Sequence, residues 1–137
     1  MPLDPELAGR TFAATTPYVV SREKIAEFTS AINGEAIDGG DTAPLTFAIV
    51  VAFRAMTKLM TNPDVGIDLH NVVHGEQRFQ QTRPIRSGDE LVATLTIDSV
   101  RAAAGMDMIG TRTEVTSTSG EHVSTAFALL LHRGGES

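Results

Sequence analysis

The spacing of apolar positions changes character about halfway along the chain. Ile25, Phe28 and Ile32 recur at intervals of three and four, which predicts a short amphipathic helix over about Arg22–Ile32. Ser21 stands where an N-cap belongs, and Glu23 places a carboxylate at the helix's positive end. Asn33-Gly34 stops the helix, since both residues tolerate a left-handed backbone. Ahead of it, Thr15–Val20 is β-branched and aromatic with Pro17 inside, the composition of an edge strand. The polar, glycine-rich loop Asn33–Thr42 then leads to a second helix, Pro44–Thr61, with Thr42 as its cap and Pro44 in its first turn. Leu45, Phe47, Ala48, Ile49, Val50, Val51, Ala52 and Phe53 surround the first half of that helix on every side, so it is expected to be buried. Phe47, Val50, Val51 and Phe53 are expected in the core. A polar stripe of Arg54, Thr57, Lys58 and Thr61 appears only toward its end, and Asn62-Pro63 terminates it.

From Val72 onward the period is two. Val72–Thr82 reads as a long, mostly polar strand, followed by Pro84 and the turn Ser87-Gly88-Asp89. Leu91, Ala93, Leu95 and Ile97 alternate with Val92, Thr94, Thr96 and Asp98, the pattern of a half-buried strand. Ala104-Gly105 turns the chain into Met108–Thr116, and Ser119-Gly120 turns it into His122–His132, where Val123, Thr125, Phe127, Leu129 and Leu131 form one face. No repeat, low-complexity run or linker divides the chain, so residues 1–137 read as one domain. One antiparallel sheet wrapped around one buried helix satisfies this order, an α+β hot-dog arrangement. Such a sheet leaves an edge to pair, and a dimer with a continuous sheet is expected.

Composition narrows the chemistry. The 137 residues are enough to bury a core without staples, and there is no cysteine, which excludes disulfides, thiolate metal sites and a cysteine nucleophile. Eleven Lys and Arg against 17 Asp and Glu give a net charge of −6, which argues against a nucleic-acid partner. Met1–Arg10 carries Asp4 and Glu6 and lacks the apolar run of a signal peptide, so a cytoplasmic location is expected. The longest apolar stretch, Leu45–Phe53, falls far short of the ~20 residues that span a bilayer, and no membrane association is expected. Glycine-rich phosphate loops, the nucleophile elbow of serine hydrolases and the paired-histidine zinc helix are all missing from the sequence.

The four histidines, His70, His74, His122 and His132, all follow the second helix. His122 and His132 flank the last strand and read as surface residues. His70 and His74 would lie about 13 Å apart along a strand, with no third ligand suggested, so no metal site is expected. His74 is singled out because Gly75 follows it, and a glycine inside a strand permits a bulge or a close backbone approach. It reads either as a hydrogen-bonded strand histidine or as a pocket or subunit-interface residue. The acidic, glycine-rich segment Gly34–Asp41 repels phosphate and reads as a flexible loop in preference to an active-site lid; its carboxylates Glu35 and Asp38 are the ones to test.

The stretch from His74 to Val100 carries His74-Gly75-Glu76-Gln77, Phe79, then Arg83-Pro84 and Gly88-Asp89 with Leu91. These residues resemble the strand motif of the MaoC-like hydratase and dehydratase family of hot-dog proteins. Ala43-Pro44-Leu45-Thr46-Phe47 and the opening Ser21–Phe28 are similar to the non-catalytic subunits of the (3R)-hydroxyacyl-carrier-protein dehydratases of mycobacteria, so the resemblance covers about the whole chain. It implies hydration and dehydration of acyl thioesters in fatty-acid metabolism, the reversible loss of water from (3R)-3-hydroxyacyl to trans-2-enoyl chains. Catalytic members resemble one another in a loop bearing an Asp and a His that act together as acid and base.

This sequence departs from that loop. The position of the family's Asp is taken by about Gly34, no histidine precedes His70, and Pro44-Leu45 replaces a His-Gly pair before the second helix. The resemblance therefore implies an accessory subunit with no catalytic residue of its own and no cofactor. Its partners would be an acyl-CoA or acyl-carrier-protein thioester and a catalytic hot-dog subunit in a heterodimer, or a second copy in a homodimer. Pro44, Leu45, Phe47, His74 and Gly75 are its candidate acyl-contacting or interface residues. Two other readings stand beside it: a hot-dog acyl thioesterase, which commonly carries a carboxylate on the central helix where Pro44–Thr61 has none, and a non-enzymatic acyl-CoA-binding homodimer.

Overall fold

In the computed structural model, which describes residues 3–133, five antiparallel strands curl around one long helix. Residues 1–2 and 134–137 of the expected domain lie outside the described residues. In chain order the elements are β1 (Tyr18–Val19), α1 (Arg22–Ala31), α2 (Ala48–Met60), β2 (Val72–Gln81), β3 (Glu90–Ala103), β4 (Met106–Ser117) and β5 (His122–Arg133). They form one sheet in the order β1-β3-β4-β5-β2. The alternation in β3 works as its sequence predicts: Leu91, Ala93, Leu95 and Ile97 are buried. They meet α2, whose Ala48, Val51, Ala52, Ala55, Met56 and Leu59 are buried in turn. The Ser21 hydroxyl accepts the Lys24 N–H at 3.0 Å to open α1, and Asn33 closes it with a φ of 57°. Ile32 lies just beyond the helix and is exposed.

Two margins of the sheet are treated differently. Beside β3, the chain from Gly9 to Val19 runs as a strap. Gly9 and Phe12 donate to the carbonyls of Ile97 and Leu95 (2.6 and 2.9 Å), Thr15 donates to Ala93 (2.9 Å), and Ile97 donates back to Arg10 (2.9 Å). Only Tyr18–Val19 of the expected strand Thr15–Val20 forms a ladder, against Leu91 and Glu90. The other margin is β2, ten residues long, which pairs with β5 on its inner side; its outer side pairs with no strand among the described residues. A bare edge of that length is a surface for another strand.

A line of irregularities crosses the sheet and folds it over α2. Gly75 is the extra residue of a bulge in β2, where the register steps from His74 to Glu76 against Leu130 and Leu129. Asp98 is the extra residue in β3, and between the two lies Gly110 of β4, opposite both Ser99 and Leu129. A Cβ on Gly110 would stand 2.7 Å from the Ser99 hydroxyl oxygen, so glycine lets the sheet fold sharply there.

Three expectations are corrected. The second helix does not begin at Pro44. Ala43 donates to the Ile85 carbonyl at 2.8 Å and Pro44 is extended (ψ 156°), so a 3₁₀ turn, Leu45–Phe47, intervenes before α2. Thr42 accordingly caps nothing in α2; its hydroxyl donates to Asp38 Oδ2 at 2.7 Å. Nor is the helix buried all round. Phe47 and Val51 are fully buried and Val50 is half-buried, but Leu45 and Phe53 are 50% and 45% exposed, because the chain's own sheet covers one side of α2. In β5, Phe127, Leu129 and Leu131 share one face as expected, and it is the outer one, while Ala126, Ala128, Leu130 and His132 face inward and are buried.

Candidate functional site

The bulge at Gly75 decides where His74 points. Three residues along a regular strand reverse the face, but the extra residue restores it. His74 and Gln77 therefore both lie on the helix side, opposite the buried Leu130 and Ala128. Their side chains meet, His74 Nε2 to Gln77 Oε1 at 2.8 Å. With the amide oxygen accepting, the Nε2–H donates. On α2, Phe53, Met56 and Met60 follow at intervals of three and four, one stripe of the helix. Together with Val72, His74 and Leu130 they line a cleft of about 250 Å³. The two methionines give it an adaptable apolar wall. Phe53 is 45% exposed there, and the edge strand β2 supplies Val72 and His74, while Val73 on its opposite face is 59% exposed.

The remaining predicted positions divide into two groups. The Leu45–Phe47 turn touches β2, which brings the start of α2 to the same margin as His74. Within it Phe47 is fully buried and meets Phe28 edge to face (5.4 Å between centroids), locking α1 onto α2, while Leu45 is left exposed and Pro44 half-buried. The loop carboxylates go elsewhere. Glu35 is exposed and makes no side-chain hydrogen bond among the described residues, and Asp38 is occupied by Thr42. No hydrogen bond joins either to His74 among the described residues. Asp41 is held by the Ser87 hydroxyl and by Arg22 (3.1 Å), which keep its carboxyl below the usual range.

The Arg-Pro and Gly-Asp pairs of the sequence motif form a turn lock. Arg83 reaches Asp89 through both terminal nitrogens (2.9 and 3.2 Å), and the Arg86 N–H donates to the same carboxylate at 2.8 Å. Burial alone would push the Asp89 carboxyl up, but these donors and the two arginine charges outweigh it and hold it low. Gly88, at φ 89°, supplies the left-handed residue the turn requires.

His122 lies at the surface as expected, with 40% of its side chain exposed, but His132 does not. His122 is half-buried among Thr82, Glu114 and Thr125 on the sheet's outer face. His132 is 1% exposed, beside the buried Asp107. The alternation Asp107, Ile109, Thr111, Thr113, Val115 places Asp107 on the core side of β4, and that signal was present in the sequence. His70 stays exposed on the turn before β2, and no cluster of three His, Asp or Glu side chains suited to a metal occurs among the described residues.

An antiparallel sheet curled over one long helix, with a cleft beside its bare edge, defines a hot-dog domain. The chain belongs to the FAS1-like dehydratase domain region family, which matches residues 39–126. It is 40% identical to a UPF0336 protein of Streptomyces avermitilis and 41% identical to one of Clavibacter michiganensis, each over 99% of both chains. Among solved structures it resembles a chain of the C-terminally truncated HadBC (3R-hydroxyacyl-ACP dehydratase) complex of Mycobacterium tuberculosis. That likeness has a TM-score of 0.80 at 28% identity, over 91% of this chain and 96% of that one. A MaoC-like dehydratase matches equally well (TM-score 0.80, 28% identity), over 94% of this chain and 43% of that longer one.

Proposed function

We propose that this chain is the accessory, acyl-binding subunit of a (3R)-hydroxyacyl-thioester dehydratase, or (R)-specific enoyl hydratase, of fatty-acyl metabolism. A catalytic hot-dog partner docks on β2 and supplies the Asp and His. The observation that carries this reading is the cleft itself: apolar, lined by α2 and the bare edge strand β2, and holding one histidine with no carboxylate bonded to it. An acid–base pair of the kind that removes an α-proton and protonates a departing hydroxyl is absent from it, and such groups typically contribute ~10²–10⁴-fold each. What the cleft offers is burial, at ~0.8 kcal/mol for each methylene taken out of water. The membership of a dehydratase family and the likeness to a chain of a heteromeric (3R)-hydroxyacyl-ACP dehydratase support the same assignment. The thioester carrier is coenzyme A or acyl carrier protein, and the cytoplasm is the compartment where both meet the enzyme.

The test is an enoyl-thioester hydration assay. The purified chain alone hydrates crotonyl-CoA no faster than background. Mixed with a catalytic hot-dog subunit it supports turnover, which disappears when the partner's Asp or His is replaced. His74→Ala weakens acyl-thioester binding by the pair. Robust turnover by the chain alone that dies in Glu35→Gln or Asp38→Asn overturns the proposal.

A further inference from the structure

We propose that His132 is a positioning residue, a proton-sensitive latch that fixes the turn from which the bare strand β2 starts. His132 lies in register with Val72 of β2 on one side and with Asp107 of β4 on the other. The Asp68 backbone N–H donates to its Nε2 at 3.0 Å, its Nδ1 faces Asp107 Oδ2 at 3.3 Å, and Asp107 Oδ1 accepts the Leu3 N–H at 3.2 Å. Asp68 in turn organises the chain up to β2. Its carboxylate accepts the His70 N–H (3.1 Å) and the Asn71 side-chain amide (3.2 Å), and its carbonyl accepts the Asn71 N–H (2.9 Å). Val72, the next residue, is a wall of the His74 cleft.

A backbone N–H can only donate, so Nε2 must present its lone pair and the ring proton sits on Nδ1, aimed at Asp107. That leaves one place for a second proton, Nε2, and a donor already faces it. Protonating His132 sets two donors against each other at hydrogen-bond distance and expels the Asp68 N–H, releasing the turn. Among the described residues, the ionisable groups around the latch are Asp107 on β4, Asp68 and His70 on the turn, and Arg133 next in β5. His70 and Arg133 line a cleft of about 280 Å³ with Asn71, Val72, Val73 and Met106, through which solvent reaches the turn. That the released strand is the one on which a partner docks rests on the function proposed above; the latch does not.

The experiment is nitrogen-15 NMR on the whole chain, from about pH 8 down to about pH 5, where an imidazole titrates. At the upper end the His132 ring shows the Nδ1-protonated tautomer. On acidification the Asp68 and Asn71 amides shift together with the ring, and their exchange protection falls by about tenfold, as for a lost hydrogen bond. In His132→Gln, whose side-chain oxygen still accepts the Asp68 N–H but takes no proton, both amides stay protected throughout. An Nε2-protonated ring at the upper end overturns the latch. So does a ring that takes no proton over that range, amides that ignore its titration, or an unchanged acid response in His132→Gln. If His132→Gln does not fold, the tautomer and the joint titration of the wild type decide the matter. None of these readouts needs a partner, so failure of the docking proposal and failure of the latch are separate results.

Discussion

Phe53→Ala tests whether a partner docked on β2 also covers the exposed side of α2. A fully buried aromatic side chain removes 150–250 Å² from water, and Phe53 is 45% exposed, so roughly 90 Å² remains for a partner to cover and about 110 Å² already packs within the chain. At ~25 cal/mol per Å², the uncovered part contributes about 2 kcal/mol to association, roughly thirty-fold in dissociation constant. The covered part contributes about 3 kcal/mol to folding, within the ~5–15 kcal/mol of a domain, so the variant still folds. The melting temperature of the isolated chain should fall, while calorimetric titration with a catalytic hot-dog subunit should show the thirty-fold weaker binding. Phe53→Leu should fall between the two proteins in both assays. Binding within threefold of wild type, accompanied by the expected loss of thermal stability, would show that this side of α2 faces water in the complex and would refute the reasoning.

Two further substitutions probe the fold. Val51 is fully buried against the sheet, so Val51→Asp traps an unpaired carboxylate at a cost of several kcal/mol and should leave little soluble protein; normal yield and melting would contradict the buried face of α2. Asp89→Asn should cost about 1–3 kcal/mol at neutral pH by weakening the Arg83 clamp, read as a lower melting temperature. Because the folded Asp89 carboxyl lies below its ordinary value of 3.8, its contribution is complete above that value and lost as pH falls through the folded one. The gap between wild type and variant should therefore hold constant from about pH 8 to about pH 5 and close below about pH 4. A gap that persists in strong acid would point to packing instead of charge.

What could be read in advance was whatever short-range chemistry settles. The period of two in Leu91–Ile97, the Ala104-Gly105 hairpin with both residues at positive φ, the Ser21 cap and the bulge at Gly75 each depend on a few neighbouring residues. Pro44 misled because the Ala43–Ile85 hydrogen bond, made between residues 42 positions apart, holds the chain extended where local preference favours a helix start. Phe53 misled for a different reason. A helix apolar on every side reads the same whether its second face meets its own core or another chain. His132 needed the register of β5 against β4, which pairs it with Asp107; neither residue alone announces the contact. The cleft was half legible. His74 and Gly75 stood out, but nothing in the sequence singled out Met56 and Met60, its apolar wall.

The strap from Gly9 to Val19 bears on how many chains an assembly can hold. A sheet open at both margins adds neighbours without limit, and that is how ordered proteins become fibres. Here, among the described residues, one margin is taken up by the chain's own N-terminal segment, which leaves β2 as the one open margin, a valence of one for strand pairing. A partner docked on β2 as proposed would consume it, whether a sister copy or a different hot-dog chain closed in the same way, and growth would stop at a pair. Cutting the strap away would raise the valence to two, and a protein built to terminate would then have the geometry to polymerise.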